Sequence, residues 1–261
     1  MLTAIDHLVI ATGDPDAGAG LLERELGLRA SGGGRHERLG TFNRLVWLGD
    51  SYLELVGVFD ERLAAESWLG RPVATALRGG GGLATFALAS DALAADVAEL
   101  RGNGSRLADP TPGERLRPDG RTVRWQVSLP PDLGPDRTPF LIEHDASAAE
   151  WTPEDRAERA AVGHPTGGAV RLTTLEIATP DPGALGYQYL RDLGLRVRPS
   201  LAGGGARDAS VGRQTLRLRP ARSSRSGSSV DSTGVVVRLR STGGTHRRAD
   251  LLGCSWLVDP A

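Results

Sequence analysis

Residues 7–29 read "HLVIATGDPDAGAGLLERELGLR" and residues 174–196 read "TLEIATPDPGALGYQYLRDLGLR"; aligned without a gap, the two stretches share 12 of 23 positions. Identity at that density in an Ala-, Leu- and Arg-rich chain marks an internal duplication, and a duplication constrains the fold more than any single motif. Each copy predicts a strand, a turn, a helix and a further strand. Asp14 is placed to cap the helix, Pro15 to open it, Leu21, Leu22 and Leu26 to form its apolar stripe, and Gly27 to end it. Asp181, Pro182 and Gly194 mark the same boundaries in the later copy. A weaker version starts at "LATFALASDALAADVAELRGNG", 83–104, with Asp91 before a helix carrying Leu93, Val97 and Leu100 and an Asn-Gly turn after it.

Strand-like runs follow each helix. They are "RLVWLGD" and "SYLELVGV" after the first, "TVRWQVSL" and "PFLIEHD" after the second, and "RQTLRLRP" after the third. The unit is therefore one strand, one helix and about three strands, which predicts an α+β fold of repeated βαβββ modules. "GVVVRLRSTGGTHRRADLLG", 234–253, opens a fourth module that ends before its remaining strands, a truncated partner for the third. Expected divisions are a paired-module domain over 1–147, a linker with a short helix near Thr152 and Pro153 over 148–169, and a degenerate C-terminal unit over 170–261. The Gly-rich "RGGGG", 78–82, serves as a connector, and "ARSSRSGSSVDSTG", 221–234, is too poor in apolar residues to pack.

Composition narrows the chemistry. The 261 residues carry 31 basic and 32 acidic side chains, so charge gives no reason to expect nucleic acid or an anionic membrane as partner. No apolar run approaches the roughly eighteen residues of a membrane span, and no leader is evident. The expected setting is the cytoplasm, with a small-molecule substrate and a possible homodimer. All the basic residues are arginine, which excludes Schiff-base and phosphate-loop lysines. Cys254 is alone, so no intrachain disulfide forms, and its neighbours Trp256 and Leu257 suggest buried packing.

Polar residues inside apolar strands are the candidates for function. Alternation puts Ile5, His7 and Val9 on one face of the first strand and Tyr52, Glu54 and Val56 on one face of "YLEL". In "FLIEHD" it puts Leu141 and Glu143 together, with His144 opposite. A carboxylate in such a strand needs a metal, an arginine or a surface position, and Arg44 and Arg124 are candidate ion-pair partners for Glu54 and Glu143. His144, His164 and His246 are expected to be structural or exposed.

The segments "DHLVIA", "YLELVGV" and "PFLIEHD" resemble the vicinal oxygen chelate superfamily, in particular its glyoxalase-like members. The resemblance implies paired modules forming a cup-shaped, incompletely closed barrel around a divalent metal. Carried onto this chain, it marks His7, Glu54 and Glu143 as metal ligands, with Thr85 in a position where histidine or glutamine is usual. Mn, Fe, Ni, Co, Zn or Mg would suit such an oxygen-rich set, chelating two neighbouring substrate oxygens as a Lewis acid.

The stretch "GGGRHERLGTFNRL", 32–45, is similar to a His and Gly-Thr-x-Asn segment of the same relatives. It makes His36 a substrate contact, a base or a ligand, in that order, and Asn43, Arg44 and Trp125 candidate substrate contacts. Glu143 or His36 would exchange protons with the substrate. Thr174 and Arg217 replace His7 and Glu54 together in the third copy, so that copy is expected to be structural.

The expected function is glyoxalase-like metal-dependent isomerase, lyase or dioxygenase chemistry on a small oxygenated molecule. The alternative is a metal-free protein that sequesters a metabolite or antibiotic between Trp47, Tyr52, Trp125 and Phe140. A third reading is a structural or interaction module.

Overall fold

The computed structural model describes residues 1–161, 163–221 and 234–261. The polar stretch 221–234 thus lies almost entirely outside the described residues. The first module comprises β1 (Leu2–Ala11), α1 (Pro15–Leu26), β2 (Gly33–His36), β3 (Thr41–Leu48) and β4 (Ser51–Val58). Two short helices, α2 (Glu61–Glu66) and α3 (Gly70–Arg78), lead into the second: β5 (Gly82–Ser90), α4 (Leu93–Gly102), β6 (Thr111–Leu116), β7 (Thr122–Ser128) and β8 (Phe140–His144). After α5 (Pro153–Ala161) come β9 (Val170–Thr179), α6 (Pro182–Leu193), β10 (Arg198–Pro199), β11 (Arg207–Val211) and β12 (Gln214–Pro220). The chain finishes with β13 (Val235–Ser241), β14 (Arg247–Leu251) and β15 (Cys254–Pro260).

The duplicated sequence produces duplicated local structure. Asp14 accepts from the N–H groups of Asp16 and Ala17, and Asp181 from those of Gly183 and Ala184; Gly27 and Gly194 both end their helices at φ 66°. Left-handed backbone at a helix end is where glycine is favoured, which explains both residues. Two expectations differ. "GGRH", which is not among the strand-like runs expected after the first helix, pairs with β3 and is the strand β2. The fourth module is also less truncated than expected, since β14 and β15 complete a hairpin after β13.

The first two modules close a barrel in the order β1-β4-β3-β2-β6-β7-β8-β5, with β5 returning to β1. Closure across β2 and β6 rests on one register pair, Arg35 with Leu116. The last two modules form an open seven-stranded sheet, β10-β11-β12-β9-β13-β15-β14, which repeats the barrel's strand order. No helix among the described residues is long and apolar enough to cross a membrane.

Side-chain parity divides the barrel. Leu8, Ile10, Leu53, Leu55, Phe86, Leu88 and Leu141 join a core shared with Leu175, Ile177, Leu216 and Trp256 of the second sheet. Val9, Ala11, Val56, Ala87, Val127, Phe140 and Ile142 pack together inside the barrel. Ile5 belongs to the outer set, although alternation predicts it beside His7. The β1–β5 ladder shifts register between Ile5 and His7, and this bulge reverses the parity of the strand below it.

A buried polar link crosses at the same place. The Ile5 N–H donates to Gln214 Oε1 of β12 at 2.5 Å, Gln214 Nε2 donates to Ser51 Oγ at 2.8 Å, and Ser51 Oγ donates to the Ile5 carbonyl at 2.7 Å. Cys254 is fully buried, as its apolar neighbours suggest, and burial pushes its thiol up to about 12.

Candidate functional site

Inside the barrel, β1, β2, β3 and β4 bring His7, His36, Asn43 and Glu54 to one cavity of about 40 Å³. That is room for a few ordered waters or the reacting end of a small molecule. Trp68, Trp125 and His144 are shared between its wall and that of an outer cleft of about 890 Å³. His7, His36 and Glu54 are 3%, 4% and 6% exposed, so their charges and lone pairs act in a poorly solvated space.

Glu54 is the centre of this arrangement. Its Oε1 accepts from Asn43 Nδ2 at 2.5 Å, while Asn43 Oδ1 accepts from the Gly34 N–H at 2.8 Å, which fixes the amide's orientation. His7 Nε2 stands 3.6 Å from Glu54 Oε2, and His36 Nε2 stands 3.7 Å from Oε1. The other ring nitrogens are engaged behind, His7 Nδ1 with Asp6 Oδ1 at 2.6 Å and His36 Nδ1 with Thr41 Oγ1 at 3.0 Å. The His7 ring is stacked on Tyr52 at 4.5 Å and meets the Phe140 ring edgewise at 5.4 Å.

Burial pushes His36 down to about 4, with Glu54 opposing the shift and Arg115 and His7 adding to it. A histidine that stays neutral in the folded protein but protonates at 6.5 in the unfolded chain makes stability fall as pH falls between those values. The expected loss from this residue is about 3 kcal/mol between pH 6.5 and 4. Denaturant melts across that window should show it, and His36→Gln should flatten the profile; an unchanged slope would refute the assignment.

A second pair faces the same cavity from outside the first module. Arg115 of β6 donates from Nη2 to Glu150 Oε2 at 2.7 Å, and both residues are more than nine-tenths buried. Arg115 Nη1 has no hydrogen-bond partner among the described residues. Glu150 lies in left-handed backbone at φ 71°, a costly conformation for a side-chain-bearing residue. Its N–H donates to Asp155 Oδ2 at 2.8 Å, and its carbonyl accepts from Arg159 Nη1 at 2.7 Å. The segment before α5 is thus part of the cavity wall, where the sequence suggests only a linker.

Several expected site residues are elsewhere. Glu143 points away from the chamber, because the inward positions of β8 are Phe140, Ile142 and His144. Its Oε2 accepts from the Leu93 N–H at 2.8 Å, at the start of a helix whose N-cap, Ala92, offers no side-chain oxygen. Glu143 therefore satisfies an otherwise orphaned helix donor. It joins neither His7 nor Glu54, which corrects its expected roles as ligand and as proton-exchanging group. Arg44, expected at the substrate, also faces outward, and its Nε donates to Asp16 Oδ1 at 2.5 Å. Arg124 pairs with Asp145, so neither arginine neutralises Glu54 or Glu143. Asn43, Trp125 and His36 do line the chamber. His144, expected to be structural or exposed, lines it too, and Arg115, Glu150 and Trp151 enter it without a motif that announces them.

The register explains why the second module contributes no ligand. In the β1–β5 ladder His7 pairs with Ala87 and Val9 with Thr85, and the following helices open at Pro15 and Leu93, so His7 and Thr85 hold equivalent positions in the two modules, as do Val9 and Ala87. Val9 pairs with Glu54, and Ala87 pairs with Phe140. Phe140 is therefore the structural twin of Glu54. Thr85 is fully buried, and its Oγ1 has no partner among the described residues.

The two imidazoles approach different oxygens of Glu54, and no three His, Cys, Asp or Glu among the described residues form a set that could hold a metal ion. A divalent ion held from both modules, as the resemblance implies, does not fit these residues.

Fold and chamber together define a paired βαβββ barrel built around a buried polar chamber. The model of the glyoxalase-like domain family matches residues 5–193, and the chain belongs to that family. No curated protein matches it. Among solved structures, it is similar to a hypothetical protein from Staphylococcus aureus at 15% identity, covering 98% of both chains with a TM-score of 0.77, a likeness of fold. Methylmalonyl-CoA epimerase from Streptomyces coelicolor, in complex with 2-nitronate-propionyl-CoA, is 25% identical over 57% of this chain and 98% of its own, with a TM-score of 0.41. Protein BH1468 from Bacillus halodurans is 19% identical over 54% and 92%, with a TM-score of 0.40.

Proposed function

We propose that the chamber is the active site of an enzyme that moves a proton on a small hydroxy- or oxo-compound, an isomerase- or lyase-type reaction. The observation that carries this reading is the enclosure of one carboxylate between two imidazole Nε2 atoms, at 3.6 and 3.7 Å, in a cavity too small for more than the reacting end of a molecule. Abstraction of a proton beside a carbonyl needs a base within reach and positive charge for the oxygen that becomes anionic. His7 Nε2 receives the proton, the C–H electron pair passes into the substrate as an enolate, and the Arg115 guanidinium supplies fixed positive charge. Glu54 accepts from a substrate hydroxyl and balances the imidazolium formed at His7. The proton then returns from His7 to the substrate, and the rest of the molecule occupies the outer cleft.

The test is exchange into solvent deuterium. Glyceraldehyde, lactaldehyde, acetoin and dihydroxyacetone are incubated with the protein in D2O, and loss of the α-proton signal is followed by NMR. Enzyme-dependent exchange supports the reading. Binding without exchange favours the sequestering alternative, for which the aromatic wall of Tyr52, Trp68, Trp125, Phe140 and Trp151 is suited.

A further inference from the structure

We propose that Asp6 is the positioning residue of the chamber: shared between His7 and His144, its carboxylate holds His7 in the tautomer that leaves Nε2 free to accept a proton. The use made of Nε2 rests on the proton-transfer reading above, whereas the tautomer is a property of the resting protein.

Asp6 is 3% exposed, yet both of its oxygens are engaged by imidazoles. Oδ1 lies 2.6 Å from His7 Nδ1, and Oδ1 and Oδ2 each lie 3.1 Å from His144 Nε2. Neighbouring residues of a regular strand face opposite sides, so Asp6 and His7 would not ordinarily serve one site. The bulge between Ile5 and His7 interrupts that alternation.

An ionised carboxylate only accepts, so each ring nitrogen facing it carries a hydrogen. A neutral His7 is then protonated on Nδ1 and bare on Nε2, the atom facing Glu54. A neutral His144 is protonated on Nε2 and bare on Nδ1, an atom with no partner among the described residues. Ring rotation is restricted on both sides. Trp151 lies against His144 with ring centres 3.6 Å apart and planes 15° apart, while Tyr52 stacks on His7. When His7 takes a proton on Nε2, its Nδ1 hydrogen stays in place and its bond to Asp6 becomes charge-assisted, stabilising the imidazolium.

Long-range 1H–15N NMR of the labelled protein reads the tautomers directly. The wild type is expected to show His7 with a protonated Nδ1 and an unprotonated Nε2, and His144 with the reverse. Asp6→Asn offers one acceptor oxygen where two ring N–H groups require acceptors. At least one imidazole should then change tautomer, and kcat for proton exchange should fall by about 100-fold or more with little change in KM. His144→Gln, which keeps a donor for Asp6, should preserve the His7 tautomer.

Protonated Nε2 on a neutral His7 in the wild type would overturn the proposal, as would an Asp6→Asn protein with both tautomers and kcat unchanged. A wild type inactive on every compound, but with His7 in the expected tautomer, would refute the proton-transfer reading and leave the hold of Asp6 on His7 standing.

Discussion

Glu54→Gln is expected to reduce proton exchange by at least about 100-fold while leaving the fold intact. The substitution is nearly isosteric and sits in a wall that is otherwise unchanged, so the loss isolates charge from shape. Asn43 Nδ2 donates to Glu54 Oε1, and that amide is fixed by Gly34. Glutamine can present its oxygen there, but its NH2 group then faces the His7 side, where a carboxylate oxygen stood 3.6 Å away. An imidazolium formed at His7 loses its balancing charge and meets a donor instead. Thermal stability should hold or rise, since removing a buried charge relieves desolvation. Exchange rates from NMR, read beside a melting curve, check both halves. Activity within threefold of the wild type would remove Glu54 from the reaction.

The largest stability effect is expected far from the chamber. Trp256 on β15 is fully buried in the core that the second sheet shares with β1, β4 and β5. Truncation to alanine should cost about 4 kcal/mol, mostly from lost burial and an unfilled cavity. For a chain of this size, that lowers Tm by on the order of 10 °C. The melt should remain a single transition, because Leu8, Leu53 and Phe86 belong to the same cluster as Trp256. Two separate transitions, with only the later strands lost at the lower temperature, would show that the halves fold independently.

The repeat made the architecture legible. Its Asp-Pro start and Gly end recur at equivalent positions, and the α+β module order follows from them. Parity made His7 and Glu54 legible as a pair on adjacent strands. Parity also misled. "FLIEH" presents Glu143 on one face and His144 on the other, and likeness to "YLELV" favours the glutamate. The ladder instead aligns Phe140 with Glu54, a slip that turns every side chain of β8 to the other face relative to that expectation. The bulge at Asp6 is equally invisible, since it depends on how β1 pairs with β5. Arg115, Glu150 and Trp151 reach the chamber through tertiary closure, for which strand and turn signals carry no information.

Gln214 gives the second sheet a part in the first module's geometry beyond covering apolar surface. The bulge leaves the Ile5 backbone in need of outside partners, and Gln214 supplies an acceptor for its N–H and a donor to Ser51. The third module, having exchanged His7 and Glu54 for Thr174 and Arg217, thus braces the strand that aims the first module's histidine. A change in β12 could therefore detune the chamber without touching it. One duplicated unit has become the tooling that keeps the other in adjustment.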